Sequence, residues 1–72
     1  MYCIIEFPDI DSGLPFYLKG KELFSTRCSC INRSATNPLV AFLIYVNDIP
    51  EVSYKMFLTS LPSIAKYKDI EL

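Results

Sequence analysis

The sequence of 72 residues contains no histidine. That absence removes the usual general base, the usual partner of a serine or cysteine nucleophile, and a principal zinc ligand. Cysteine is scarce and odd in number: Cys3, Cys28 and Cys30 leave at least one thiol unpaired, and the one-residue gap strains a Cys28 to Cys30 bridge. Reduced thiols are expected, with no metal site and no cofactor. Long apolar runs are missing too. The longest, Leu39 to Val46, falls far short of the ~20 residues that cross a bilayer, so it reads as core. Met1-Tyr2-Cys3-Ile4-Ile5-Glu6 has no basic residue and meets an acid early, which argues against a secretory signal. The expected location is intracellular, in the cytoplasm, with no membrane span. Excess charge of one sign is absent as well: the formal net charge of -1 excludes a strong general pull on nucleic acid or anionic membrane.

What the chain does hold is apolar material. Hydrophobic residues make up 51% and charged residues 21%, which is outside the signature of disorder. One small domain spanning residues 1–72 is expected. A domain of this size buries a reduced share of its surface, so some of that apolar material, including five Tyr and five Phe, is expected to stay exposed. A protein partner or self-association would cover it, with Tyr17, Phe24, Tyr54 and Phe57 as the candidate contact residues. The basic residues are uneven: residues 14–47 carry Lys19, Lys21, Arg27 and Arg33 against Glu22 alone. These four are the candidate contacts for weak nucleic-acid binding, against a background in which dispersed charge is normally solvated.

Tyr2 to Phe7 alternates, with Tyr2, Ile4 and Glu6 on one side and Cys3, Ile5 and Phe7 on the other, and is expected to be a strand. Pro8 to Pro15 is dense in turn-setting residues and reads as a loop. Its Asp9-Ile10-Asp11-Ser12-Gly13 core lacks the further acids of a calcium loop. Phe16-Tyr17-Leu18 and Glu22-Leu23-Phe24 flank Lys19-Gly20-Lys21, a hairpin signal. Ser25 to Asn37 is polar and reads as a connection. Pro38 to Val46 has strong β-propensity, yet Asn37 and Pro38 are helix-start signals and Leu39, Phe42, Leu43 and Val46 fall at helical spacing. Val52, Tyr54, Met56 and Leu58 alternate as in a half-buried strand, and a short helix is expected from Pro62 onward.

One stretch carries a family resemblance. Asn37-Pro38-Leu39-Val40-Ala41-Phe42-Leu43-Ile44-Tyr45-Val46-Asn47-Asp48-Ile49-Pro50-Glu51 resembles a palm segment of non-LTR retrotransposon reverse transcriptases, of the form Q-G-S-V-L-G-P-L-L-F-L-I-Y-I-N-D-L-P-E. Pro38, Leu39 and Phe42 to Pro50 match, Ser34 can partner the family's serine, and the stretch is about a quarter of the chain. The resemblance implies a helix over Pro38 to Asn47 beneath the palm sheet. It also implies a catalytic F-A-D-D box shortly afterwards, where this chain has Met56-Phe57-Leu58-Thr59-Ser60-Leu61-Pro62 and no acid. Nucleotide transfer needs carboxylates that hold two metal ions, so the implied function is a catalytically inactive relic, not an enzyme. The alternatives are a small interaction module or a weak nucleic-acid binder. The fold expected is α+β: an N-terminal strand, a hairpin, a central helix, a further strand and a short C-terminal helix.

Overall fold

The computed structural model describes residues 1–31 and 40–71, with side chains described for 1–29 and 41–71. The elements are β1 (Tyr2–Phe7), α1 (Ile10–Phe24), a 3-10 turn at Ser25–Arg27, β2 (Cys28–Ile31), β3 (Val40–Tyr45), α2 (Glu51–Thr59) and β4 (Lys66–Ile70). The four strands form one antiparallel sheet in the order β2-β3-β1-β4. This β-α-β-β-α-β connectivity, in which a strand separates the two strands of each β-α-β unit, is the split or ferredoxin-like arrangement. The class is α+β, as the composition and patterning suggested, but most of the individual elements differ from the sequence reading.

β1 follows its alternation. Cys3, Ile5 and Phe7 are buried and face the helices, while Tyr2, Ile4 and Glu6 point to the other side. The turn residues after it are a helix start instead of a loop. The Asp9 carboxylate accepts from the Ser12 backbone N–H at 2.8 Å and from the Ser12 hydroxyl at 2.8 Å, so Asp9 caps α1. Those hydrogen bonds hold the Asp9 carboxyl below its ordinary range. Helix α1 continues through Pro15, a helix-breaking residue that costs about 3 kcal/mol in a helix interior. Burial of an inward stripe offsets this: Gly13, Gly20 and Phe24 are buried, and Phe16 and Tyr17 pack against the core. These positions recur every three to four residues, the helical period.

The expected hairpin at Phe16 to Phe24 is therefore the second half of α1, and Gly20 has a different use. A Cβ there would lie 3.0 Å from Cys28 Sγ, 3.6 Å from Phe57 Cζ and 3.8 Å from Phe42 Cε2. Gly20 is a point of close approach between helix and sheet, not a turn. The expected connection from Ser25 contains β2, and the rest of it, Asn32 to Asn37, lies outside the described residues.

The expected central helix is strand β3 between Val40 and Tyr45, while Pro38 and Leu39 lie outside the described residues. β3 is hydrogen-bonded on both edges, to β2 and β1, and buries Phe42 and Ile44 against the helices. A run rich in β-branched and aromatic residues fits that central position. The expected strand at Val52 to Leu58 is helix α2. Tyr54, Phe57, Leu58 and Leu61 sit at i, i+3, i+4 and i+7 and face the core, and this period prevails over the alternation. Lys55 pairs with Glu51 one turn earlier at 3.0 Å. The expected C-terminal helix is strand β4: Pro62 sits in a turn closed by Ala65 N–H donating to the Pro62 carbonyl at 3.0 Å.

Both helices pack on one sheet face. Phe42 stands 5.6 Å from Tyr17 of α1 and 6.4 Å from Phe57 of α2, and Phe24 meets Phe57 edge-on at 5.5 Å. No described helix is long and apolar enough to cross a membrane.

Candidate functional site

The second face of the sheet is covered by neither described helix, although Ala41 on it is fully buried, and strand register determines what it presents. Side chains alternate along a strand, and cross-strand partners share a face. Because Cys3 and Ile5 point to the helices, their neighbours Tyr2, Ile4 and Glu6 point away, together with their partners on β3 and β4. Tyr2 pairs with Tyr45 and Ile70, Ile4 with Leu43 and Lys68, and Glu6 with Ala41 and Lys66. Ser29 of β2 stands beside Leu43. The rings of Tyr2 and Tyr45 lie 5.2 Å apart at 53° and are partly exposed. Both strands are central in the sheet, and the pair sits where β1 begins and β3 ends.

Two concavities lie on this face. One, of about 390 Å³, is lined by Tyr2, Arg27, Ser29, Leu43, Tyr45 and Asp48. Arg27 reaches it from the 3-10 turn and Asp48 from the turn after β3. Arg27 Nη2 donates to Asp48 Oδ2 at 3.4 Å, with both side chains about half exposed. Arg27 Nη1 also donates to Thr26 Oγ1 at 3.3 Å. The Asn47 amide donates to the Tyr45 hydroxyl at 3.4 Å, at the rim of the pair. The second concavity, of about 220 Å³, is lined by Ile4, Glu6, Lys66, Tyr67 and Lys68. The uncovered face thus combines two aromatic rings, an apolar floor at Ile4 and Leu43, and Arg27, Lys66 and Lys68 around it, against Glu6 and Asp48.

The basic residues singled out from the sequence are not brought together. Lys19 lines a groove between the helices with Leu23 and Met56. Lys21 Nζ donates to the Cys28 carbonyl at 3.1 Å, which bonds the end of α1 to β2. Arg27 alone reaches the uncovered sheet face, and Arg33 lies outside the described residues. The four aromatics expected on a partner surface are core residues instead. Phe24, Tyr54 and Phe57 are buried, and Tyr17 packs against Phe42. A helical inward stripe buries what a strand or hairpin would have exposed.

Tyr54 also has a chemical tie. Its hydroxyl donates to Asp69 Oδ1 at 3.2 Å, joining α2 to β4. Burial, the nearby Cys3 thiol and the Asp69 carboxylate all push the Tyr54 phenol well above its ordinary value. Burial likewise raises the Cys3 thiol, so it is held as a thiol and not as a reactive thiolate. No group of three or more Cys, Asp or Glu among the described residues is placed to hold a metal ion.

Sequence reasoning missed Tyr2 and Tyr45 as a pair. The alternation in β1 placed Tyr2 opposite the buried side, but Tyr45 sat in a stretch read as a helix, so nothing aligned the two. No family model, no curated protein and no solved structure matches the chain.

Proposed function

We propose that this chain is a non-catalytic binding module whose uncovered sheet face stacks single-stranded nucleic acid. The Tyr2–Tyr45 pair carries the reading: two partly exposed rings side by side on the central strands of a face that no helix covers. Aromatic rings on a four-stranded sheet are a general device for stacking unpaired bases, and each stacked base contributes ~1–3 kcal/mol. Charge complementarity supports this occupant over an apolar one, since Arg27, Lys66 and Lys68 border the rings and floor. With a net charge of -1 the affinity is weak. Two stacked bases and two phosphate contacts, at Lys66 and Lys68, correspond to a Kd on the order of 0.1 mM.

The acids support a non-catalytic role by their dispersal over the α1 cap, the turn after β3, α2 and β4. Descent of Asn37 to Glu51 from a reverse-transcriptase palm belongs to the same proposal and rests on sequence alone. Val40 to Tyr45 forms a strand where that resemblance implied a helix. The test is titration of an eight-nucleotide single strand and of the same sequence as a duplex. Single-strand binding that drops about tenfold in Tyr2→Ala or Tyr45→Ala is expected, with a log K against log salt slope of about -1.4. Equal binding of the alanine variants would sink the reading.

A second reading, contact with a protein partner or a second copy, is favoured by one observation. Ile10, Leu14 and Leu18 lie at i, i+4 and i+8 along α1 and are 62%, 45% and 56% exposed, a continuous apolar flank. Sedimentation from 10 to 500 µM, roughly the range in which weak contacts register, separates the readings. Self-association lost in Leu14→Lys supports the contact, and a monomer throughout removes self-association.

A further inference from the structure

We infer that Asp48, with Arg27, is a specificity determinant that reads guanine in the 390 Å³ concavity beside the tyrosine pair. This rests on the stacking reading above and names the base that the face selects. The concavity has an aromatic wall at Tyr2 and Tyr45, an apolar floor at Leu43, and a polar rim at Arg27 and Asp48. A base that slides onto either ring therefore brings an edge towards a carboxylate and a guanidinium at once.

The two groups hold each other by an exposed contact of 3.4 Å, and exposed pairs of this kind add little stability. Exchanging part of that contact for a ligand is correspondingly cheap. A carboxylate offers two parallel acceptors, and among the four bases only guanine offers two parallel donors on one edge, N1–H and the N2 amino group. Bidentate, charge-assisted pairs of this type are the strong class of hydrogen bond. Guanine O6, on the same edge, is an acceptor for the Arg27 fork. Uracil turns two carbonyl oxygens towards the carboxylate around a single N–H, adenine has one donor group, and cytosine pairs one donor with two acceptors. Each leaves Asp48 facing an acceptor or a single bond.

The location fits the sequence. Asp48 belongs to the Tyr45-Val46-Asn47-Asp48 stretch, where Asn47 donates to the Tyr45 hydroxyl at 3.4 Å. The end of β3 and the turn after it thus supply a stacking ring, the residue that holds the ring's hydroxyl, and the acceptor for the base edge.

The experiment measures the intact chain by fluorescence anisotropy against labelled U-rich octanucleotides that differ at one central position: guanine, inosine, adenine, cytosine or uracil. Guanine is expected to bind about tenfold tighter than adenine, cytosine or uracil, and inosine, which lacks the N2 amino group, to lose most of that gain. Asp48→Asn is expected to abolish the preference, read as a ratio of guanine-strand to all-uracil-strand affinity that falls from about tenfold to within about twofold of one. The inosine comparison needs no variant, so it decides the matter even if Asp48→Asn folds poorly. Equal affinities for all five strands overturn the guanine assignment and leave the stacking platform standing. Absence of binding to every strand overturns both.

Discussion

Single side chains in this molecule are set by what surrounds them, and Tyr54 shows how. Its phenol is buried, bonded to Asp69 and beside the Cys3 thiol, and all three raise its proton affinity in the folded chain. Cys3 is shifted in the same direction by burial. In the unfolded chain the thiol releases its proton near 9.0 and the phenol near 10.0. The folded form holds both protons more tightly, so their contribution is complete below pH 9.0 and declines as pH rises past each ordinary value. Urea unfolding at pH 8 and pH 11 is expected to show a steep alkaline loss in the parent chain and a shallower one in Tyr54→Phe. Identical slopes would show that the phenol contributes nothing. Asp9 behaves in the opposite sense: its lowered carboxyl stabilises the start of α1 above the ordinary value of 3.8 and stops doing so as pH falls through its folded value.

Elements were legible where the signal was local and illegible where a residue type serves two purposes. The alternation of β1 needed no tertiary information, because only one side of the strand is apolar enough to be buried. Asp9, Ser12 and Gly13 are the residues of a turn and equally of a helix cap, and Pro15 tipped the reading to the wrong side. Gly20 was read as a bend but is the contact point of α1 with Cys28, Phe42 and Phe57. The inward stripe Gly13, Phe16, Tyr17, Gly20 and Phe24 was present in the sequence, hidden because two of its positions, Gly13 and Gly20, are glycines with no hydrophobic side chain. β3 was the hardest: helix-start residues before a β-prone run left helix and strand both open, the family resemblance favoured a helix, and the place of the run between β2 and β1 is set by strands distant in sequence. That single misreading concealed the tyrosine pair. Gly20→Ala gains about 1 kcal/mol in helix propensity but crowds the buried Cys28 Sγ, and overpacking costs about 1–3 kcal/mol. A net loss of about 1 kcal/mol is expected. Cys28→Ala opens the space that the new methyl needs, so the double variant should be more stable than the sum of the singles by at least ~0.5 kcal/mol. Strict additivity in that cycle would contradict the close approach.

At the scale of the molecule, one sheet divides two kinds of surface. Helices cover one face and bury Phe7, Phe24, Phe42 and Phe57 in a single core. The other face keeps Tyr2, Ile4, Leu43 and Tyr45 partly exposed, with Lys66 and Lys68 on the edge strand β4. Lysines on an edge strand discourage sheet-to-sheet pairing, and here they also line the second concavity of this face beside Ile4 and Glu6. The split connectivity places β1 and β3 side by side at the centre, so two segments distant in the chain meet as one surface, with Tyr2 opposite Tyr45. The most direct test of that surface is residue-resolved NMR of the chain titrated with a single-stranded octanucleotide. Shift changes are expected to concentrate on Tyr2, Ile4, Leu43, Tyr45 and the turn at Asp48, with Lys19 and Lys21 of α1 unmoved. Changes confined to the helices, or none at millimolar strand, would contradict the assignment of the uncovered sheet face as the working surface.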